Sequence, residues 1–427
     1  MRSPQNRRVV VLGHALSTAL GHGFEQTWSR AVRGESGTGW LTRFEIPDWL
    51  DSRVVAEIPD YDPLGYEFIT AKDEASWNAR YVLSVAALSQ DALAHAGLEL
   101  TEEDLGPRTG HLVGSALNGL DSYGIACETL DRRGPNRVSP YLLPNVCANM
   151  PSGIAGMQIK NTGPVFSPGG ACASANHCLT VGSRLIQIGE ADVFLVGGVD
   201  FPILPPIVAG FQNMNATYKA REGDRGTDDP RQASRPFSPD PRGFVLAEGS
   251  AILVIAALDV AEAHGLTPLA EVIGCGMTSD AHHFTKPNPT TVIRCIGLAL
   301  DDAGLKPSEI DTVNCHGTST KIGDRTEIAV LREVFGPELK NTPITSNKSM
   351  LGHSLGATAG VEAILAIEGM RRDTILPTIN HRPNPDLLGG DVDVVANEAR
   401  PAAHQTVLSN AFGFGGTNCC VIFRKWG

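Results

Sequence analysis

Four side chains in this sequence have the types and surroundings needed for acyl chemistry. Cys172 lies in PVFSPGGACASANHCLTVGSRL, between a short apolar run and small residues that read as a helix start. Ala175, Cys178, Leu179, Gly182, Leu185 and Ile186 follow at helical spacing, which places the thiol near a helix N-terminus. There the unpaired N–H groups and the positive end of the dipole favour a thiolate over a thiol. Gly169, Gly170, Ala171 and Ala173 leave room for a substrate to approach. His316 follows a predicted short strand in DTVNCHGTST, where the Gly/Thr/Ser turn suits an exposed imidazole. Lys348 and His353 fall in TSNKSMLGHSLGATAGVE, read as a Gly-rich loop before a helix. LSNAFGFGGTN sets two phenylalanines among glycines, so its backbone can come close to a ligand. Each segment also has a plainer reading: an inert buried cysteine, a surface histidine, a tight turn between strands.

The elements that must hold these groups read as α/β. Short β-branched runs alternate with Ala-rich helical patterns, as in ARYVLSVAALSQDALAHAGL, HLVGSAL and GSAILVIAALDVAEAHGL, which predicts a mixed or parallel sheet covered by helices. ADVFLVGGVDF and NCCVIFRK rhyme loosely as apolar strands near Gly-Gly pairs, a weak sign of internal duplication. Asn215 to Gly243 is rich in charge, Gly and Pro and reads as a functional surface loop or cap.

The chain has 427 residues, 42% of them hydrophobic, enough for one large α/β unit or two fused halves. Its formal charge of −12 gives no general reason to expect nucleic acid. The basic start MRSPQNRR precedes an apolar run too short for a secretory signal, and no stretch reaches the roughly 20 apolar residues of a membrane span. A cytoplasmic protein is expected. The nine cysteines are scattered and show no paired CxxC spacing, which argues against a disulfide framework or a zinc site.

Taken together, GACAS around Cys172, NCHGTSTKIGD around His316, NKSMLGHSLGA with Lys348 and His353, and the closing NAFGFGGTN closely resemble the β-ketoacyl-acyl carrier protein synthases, the elongating type with a Cys/His/His triad. SRPFSPDPRGFVLAEG and SDAHHFTKP extend the resemblance over nearly the whole chain. It implies a thiolase-like fold of two related halves in a layered α-β-α-β-α arrangement, taken here as 1–258, carrying the nucleophile and a cap or loop insertion, and 259–427, carrying His316, Lys348 and His353.

The resemblance also implies the chemistry. Cys172 would accept an acyl group from a carrier thioester, and His316 and His353 would stabilise the enolate formed when a malonyl thioester loses carbon dioxide. The backbone N–H groups of Cys172 and Phe414 would form the oxyanion hole, and the Phe414 ring a gate. Lys348 would organise the histidines, with Glu362 as its partner. Thr318 and Thr320 would hydrogen-bond the pantetheine arm, while Leu117 and Phe211 would line or end the acyl pocket. Asn314, Glu327, Glu362, Ser409 and Asn410 match positions that surround a structural cation in some relatives. No resident cofactor is expected, the 4'-phosphopantetheine arriving on the substrates. The implied partners are an acyl carrier protein and a second ketosynthase-type subunit, identical or of the chain-length-factor kind, with neither nucleic acid nor membrane involved.

Two departures bear on the carrier. GYEFITAKDEASWNARY lacks a dense basic cluster, and the Asn215 to Gly243 loop is long, leaving Arg137 and Lys219 or Arg221 as candidate contacts and suggesting a dedicated carrier of a specialised polyketide or polyene pathway. A coenzyme A-dependent thiolase, a non-catalytic chain-length factor and a Cys/His hydrolase are the alternatives. The retained Cys172 argues against the second, and the pair of histidine motifs against the first and third.

Overall fold

The computed structural model describes residues 7–59, 69, 70, 72, 79–220 and 229–427. Strands from both ends of the chain meet in one eleven-stranded sheet. The first half supplies β1 (Val9–Thr18), β2 (Thr109–Gly114), β3 (Val165–Phe166), β4 (Val193–Asp200) and β5 (Gly249–Ala257). The second supplies β6 (Ala270–Ser279), β7 (Thr312–Asn314), β8 (Ile344–Thr345), β9 (Thr406–Gly413) and β10 (Thr417–Lys425). Across the sheet they run β8-β7-β9-β10-β6-β1-β5-β4-β2-β3, with Gly21–His22 paired to β1 off this path.

The order repeats. In each half the third strand lies at the edge, followed by the second, fourth, fifth and first. The directions repeat as well: β2 is parallel to β3 and β4, as β7 is to β8 and β9. The fourth and fifth strands are antiparallel, as are the fifth and first. The halves join through a short antiparallel ladder of Val9, Val10 and Val11 with Val272, Glu271 and Ala270. Topology therefore mates ADVFLVGGVD with β9 and GSAILVIAA with β10, so the two stretches that rhyme by eye are not counterparts.

Burial on both faces explains the apolar runs of the central strands, since every residue of β4 and β5 is buried. Helices α1 (Arg80–Ala96) and α2 (Met150–Gln158) cover one face of the first half. Two helices, α3 (Ser174–Gln187) and, further along, α6 (Thr358–Arg371), fill the middle between the halves. On the far side lie α4 (Pro289–Ala303) and α5 (Lys321–Phe335). One apolar cluster lies against α1 and α2, a second surrounds the middle helices α3 and α6, and a third lies against α4 and α5. Each fully buried side chain such as Phe194 or Ile255 stabilises by roughly 1.5–3 kcal/mol. The middle layer is tight because glycine permits it: a Cβ on Gly198 of β4 would lie 2.1 Å from the Gly356 carbonyl oxygen.

The segment expected to be a surface cap is largely internal where described. Tyr218, Ala233, Ser234 and Phe237 are buried, and Ser234 Oγ donates to the Lys348 carbonyl at 2.7 Å. Tyr218 and Ala233 pack with Ala19, Val54 and Ala56 of the first half and Phe237 joins the core of the second, while the charge that suggested a surface loop is concentrated in residues 221–228, which lie outside the described residues. Among the described residues no helix is long and apolar enough to cross a membrane.

Candidate active site

The repeated topology brings two matching turns face to face. In the first half Ala171–Ala173 forms a one-turn 3-10 segment that leads into α3, and in the second Leu355–Ala357 leads likewise into α6. Each opens with a non-glycine residue in the left-handed region, Ala171 at φ 48° and Leu355 at φ 47°, a strained conformation held by its surroundings. Around Cys172 the restraint is explicit. The Ser174 hydroxyl donates to the Ala171 carbonyl at 2.7 Å and accepts from the Gly170 N–H at 3.0 Å, while Thr417 Oγ1 donates to the Gly170 carbonyl at 2.8 Å.

Cys172 is thus at the helix N-terminus, as its spacing predicts, but the expected thiolate needs correction. Burial pushes the thiol up to about 11, opposed by the Phe414 N–H, the Lys348 ammonium and the residue's own N–H, with the Asp200 carboxylate acting alongside burial. Desolvation outweighs the helix end and favours the neutral thiol. The two N–H groups that favour its charged form are those of Phe414 and Cys172, so both reach the sulfur's immediate surroundings. Gly413 keeps this region close: a Cβ there would meet the Gly170 oxygen at 2.4 Å and the Cys172 nitrogen at 3.2 Å.

His316 and His353 approach edge to face, with ring centroids 5.5 Å apart. The backbone of His316 is anchored by Glu327 of α5, whose carboxylate accepts from the His316 and Gly317 N–H groups at 2.8 and 2.7 Å. His353 is fixed by its own N–H to the Val245 carbonyl at 2.7 Å and by the Ala247 N–H to its carbonyl at 3.0 Å. Its Nδ1 lies 2.9 Å from Thr358 Oγ1, and the Phe244 ring stands against it at 5.3 Å. Burial, followed by the Lys348 ammonium, holds both imidazoles well below their ordinary range, so both are neutral near pH 7.

Lys348 begins a one-turn helix, Lys348–Leu351, rather than lying in a loop, and it is buried. Its ammonium donates to both Glu362 oxygens, at 2.7 and 2.9 Å. Burial pushes Glu362 up to about 7 against the pull of that ammonium.

A cavity of about 610 Å³ collects most of the remaining residues. Cys172, His316, His353, Thr318, Thr320, Phe414, Leu117 and Phe211 all line it. Lys348, Glu362 and Asn410 are buried and do not line it. The hydroxyls of Thr318 and Thr320 are 2.9 Å apart. Phe211 packs edge to face on Phe244 at 5.3 Å and lies 6.4 Å from Phe414, so the wall beside the thiol is aromatic. Arg137 sits in the turn Pro135–Arg137 and does not line the cavity, whereas Lys219 donates to the wall residue Asn215 at 2.7 Å. Arg221 and most of GYEFITAKDEASWNARY lie outside the described residues.

The five residues of the expected cation site split by their partners. The Glu362 oxygens are taken by Lys348, and Glu327 accepts from two backbone N–H groups and from Asn410 Nδ2 at 3.3 Å. Asn314 Oδ1, Ser409 Oγ and Asn410 Oδ1 are buried with no hydrogen-bond partner, and Asn314 faces Ser409 across the β7–β9 ladder. Neutral oxygens left over in this way fit a hard cation. Among the described residues no group of three or more His, Cys, Asp or Glu side chains could hold a metal.

Sequence reasoning missed Asp200, Thr358 and the rim lysines. Asp200 closes β4, and its carboxylate accepts from Ser115 Oγ, the Ala116 and Leu117 N–H groups, and, from the other half, the Gly356 N–H at 2.7 Å. Its acidic side chain at the end of an apolar strand was the available signal. Lys286 and Lys321 line the cavity, and neither ammonium has a partner among the described residues.

Residues 6–261 match the family description "Beta-ketoacyl synthase, N-terminal domain", and residues 269–382 match "Beta-ketoacyl synthase, C-terminal domain". The chain is 33% identical over 425 residues to 3-oxoacyl-[acyl-carrier-protein] synthase 2 of Staphylococcus aureus, covering 99% of each. It is 35% identical over 429 residues to the protein of that name from Synechocystis, covering 100% of both. Among solved structures, the ishigamide ketosynthase/chain length factor aligns with a TM-score of 0.87 at 32% identity, over 99% of this chain and 100% of that one.

Proposed function

The chain belongs to the β-ketoacyl synthase family, and from that premise we propose how its residues divide the work of a 3-oxoacyl-[acyl-carrier-protein] synthase, an acyltransferase that forms carbon–carbon bonds. The observation that carries the assignment is the cavity in which one thiol, two neutral imidazoles and two backbone N–H donors converge.

Cys172 attacks the carbonyl of an acyl thioester on the carrier. The new C–S bond replaces the old one at little cost in free energy, and the thiol proton leaves with the carrier thiol. Lys348 and the N–H groups of Phe414 and Cys172 favour the anionic sulfur along this path. The Phe414 ring acts as the gate to the acyl pocket, which Leu117 and Phe211 border, and Thr318 and Thr320 hydrogen-bond the pantetheine arm. A malonyl thioester then enters and its carboxylate departs as carbon dioxide, leaving the electron pair as an enolate. His316 and His353, being neutral, donate hydrogen bonds to the enolate oxygen without moving a proton. The carbanion attacks the acyl-Cys172 carbonyl, and the oxyanion rests between the N–H groups of Cys172 and Phe414. A donor of this kind lowers the barrier by about 3–4 kcal/mol. Collapse breaks the C–S bond with its electron pair on Cys172, whose thiolate takes a proton from solvent to restore the thiol, and releases the 3-oxoacyl carrier. No resident redox cofactor takes part, because no electrons are gained or lost overall. A structural cation on Asn314, Ser409 and Asn410, beside Glu327, would stiffen the strands that carry His316 and the Phe414 loop.

The carrier approaches the rim marked by Lys286 and Lys321, where two free ammonium groups suit a phosphate arm on an acidic protein. A second ketosynthase-type subunit docks at the open edge of β3, where Phe166 and, on the adjoining helix α2, Met157 present exposed apolar surface. The similarity to the ishigamide ketosynthase/chain length factor supports a specialised polyketide or polyene setting with its own carrier.

The test is the intact mass of the carrier after mixing enzyme, acyl carrier and malonyl carrier, beside Cys172→Ala. A 3-oxoacyl carrier from the wild type and none from the variant is expected. Absence of product and of any acyl adduct on Cys172, across several donors and carriers, would defeat the reading in favour of a non-catalytic subunit.

A further inference from the structure

We propose that the Thr358 hydroxyl holds His353 in the tautomer that carries its proton on Nε2, making Thr358 a positioning residue for decarboxylation. The inference rests on the enolate-donor role given to His353 above. Thr358 opens α6, is buried, and places Oγ1 2.9 Å from His353 Nδ1. Nε2 has no protein partner among the described residues, and the ring lines the cavity. A neutral imidazole has one donor and one acceptor nitrogen, so whatever Nδ1 does decides what Nε2 offers the substrate.

The threonine oxygen is itself paired, with Ser354 Oγ at 3.1 Å. Ser354 has this hydroxyl as its partner and sits where the absent side chain of Gly249 leaves space: a Cβ there would come within 2.6 Å of Ser354 Oγ. The chain of hydroxyls can run in two directions. Running Ser354 to Thr358 to Nδ1, each O–H donates to the next group and the imidazole keeps its proton at Nε2. Running the other way, Nδ1–H donates outward and Nε2 faces the cavity as an acceptor, which would repel an enolate oxygen. Only the first direction supplies a donor where negative charge develops. The ring cannot rotate to evade the choice, because Phe244 and His316 stand against it and its backbone is bonded on both sides.

Two readouts test this in the full-length protein. In ¹⁵N NMR with labelled histidine, the His353 signals, assigned by their loss in His353→Asn, should show the proton on Nε2 in the wild type; a proton on Nδ1 would overturn the proposal whether or not the enzyme condenses the substrates tried. In kinetics, Thr358→Val should lower kcat for decarboxylation of malonyl carrier by about tenfold or more, with KM and the rate of Cys172 acylation by an acyl carrier within about twofold of wild type. Thr358→Ser, which keeps the hydroxyl, should restore the rate. Unchanged decarboxylation in Thr358→Val, or acylation and decarboxylation falling together, would overturn it. If the valine variant does not fold, the wild-type tautomer decides.

Discussion

Lys348 donates to both oxygens of Glu362, at 2.7 and 2.9 Å, with the two side chains closed off from solvent. The ammonium also lowers the proton affinity of Cys172, His316 and His353. Lys348→Met should therefore do two things. It strands a buried carboxyl, a loss of about 3–5 kcal/mol for a broken buried pair, visible as a lower melting temperature. It also lets both imidazoles take up protons at higher pH, so the acid limb of malonyl decarboxylation moves to higher pH. Glu362→Gln keeps the ammonium and should leave that limb where it is or move it down. A limb that rises equally in both variants would refute the charge argument.

Cys172 tests the contest between burial and the helix end. With burial pushing the thiol up to about 11, alkylation by iodoacetamide should be slow at pH 7 and climb about tenfold per pH unit through pH 9. A rate already level below pH 7 would mean that the helix terminus and Lys348 prevail.

Phe414 closes an aromatic wall with Phe211 and Phe244. Phe414→Ala should weaken discrimination between acyl and malonyl loading, measured as the ratio of acylation rates for the two carriers. Leu117→Trp should shorten the longest acyl chain accepted on Cys172, read by intact mass over a chain-length panel. An unchanged ratio or panel would remove that residue from the pocket assignment.

The rim lysines address the carrier. Lys286→Glu with Lys321→Glu should raise KM for carrier-bound substrates about tenfold at low salt, with the difference shrinking as salt is added. Acylation by a short thioester lacking phosphate should be unaffected. Equal losses for both substrates would assign the lysines to local structure instead.

The reactive centre was more legible in the sequence than its supports were. Cys172, His316 and His353 sit in Gly-rich motifs that mark close backbone approach, and all three line the cavity with Phe414, Thr318 and Thr320. The helix after Cys172 follows its small-residue spacing to within a residue or two. What escaped was whatever depends on distant partners. Asp200 matters because Gly356, 156 residues later, donates to it. Thr358 matters through the orientation of a ring five residues before it, which no spacing reveals. The duplication was faint because what the halves share is strand order and direction, which spacing along the chain does not reveal. The thiol's proton affinity was misjudged for a related reason: a helix start is readable in sequence, but the depth of burial that outweighs it is set by the whole middle layer.

The matching turns at the starts of α3 and α6 put the nucleophile on one repeat and the histidines on the other. Neither repeat is a smaller enzyme in its own right. Cleaving the chain in the connection between Ala263 and Ala270 would part the reacting groups without removing one of them. Slippage of one central helix past the other by a single turn, about 5.4 Å, would nearly equal the 5.5 Å between the two imidazole centres. Turnover in this protein is thus a measure of registration between two topologically matching repeats, and the glycines that let β4 touch the opposing turn act as its alignment marks.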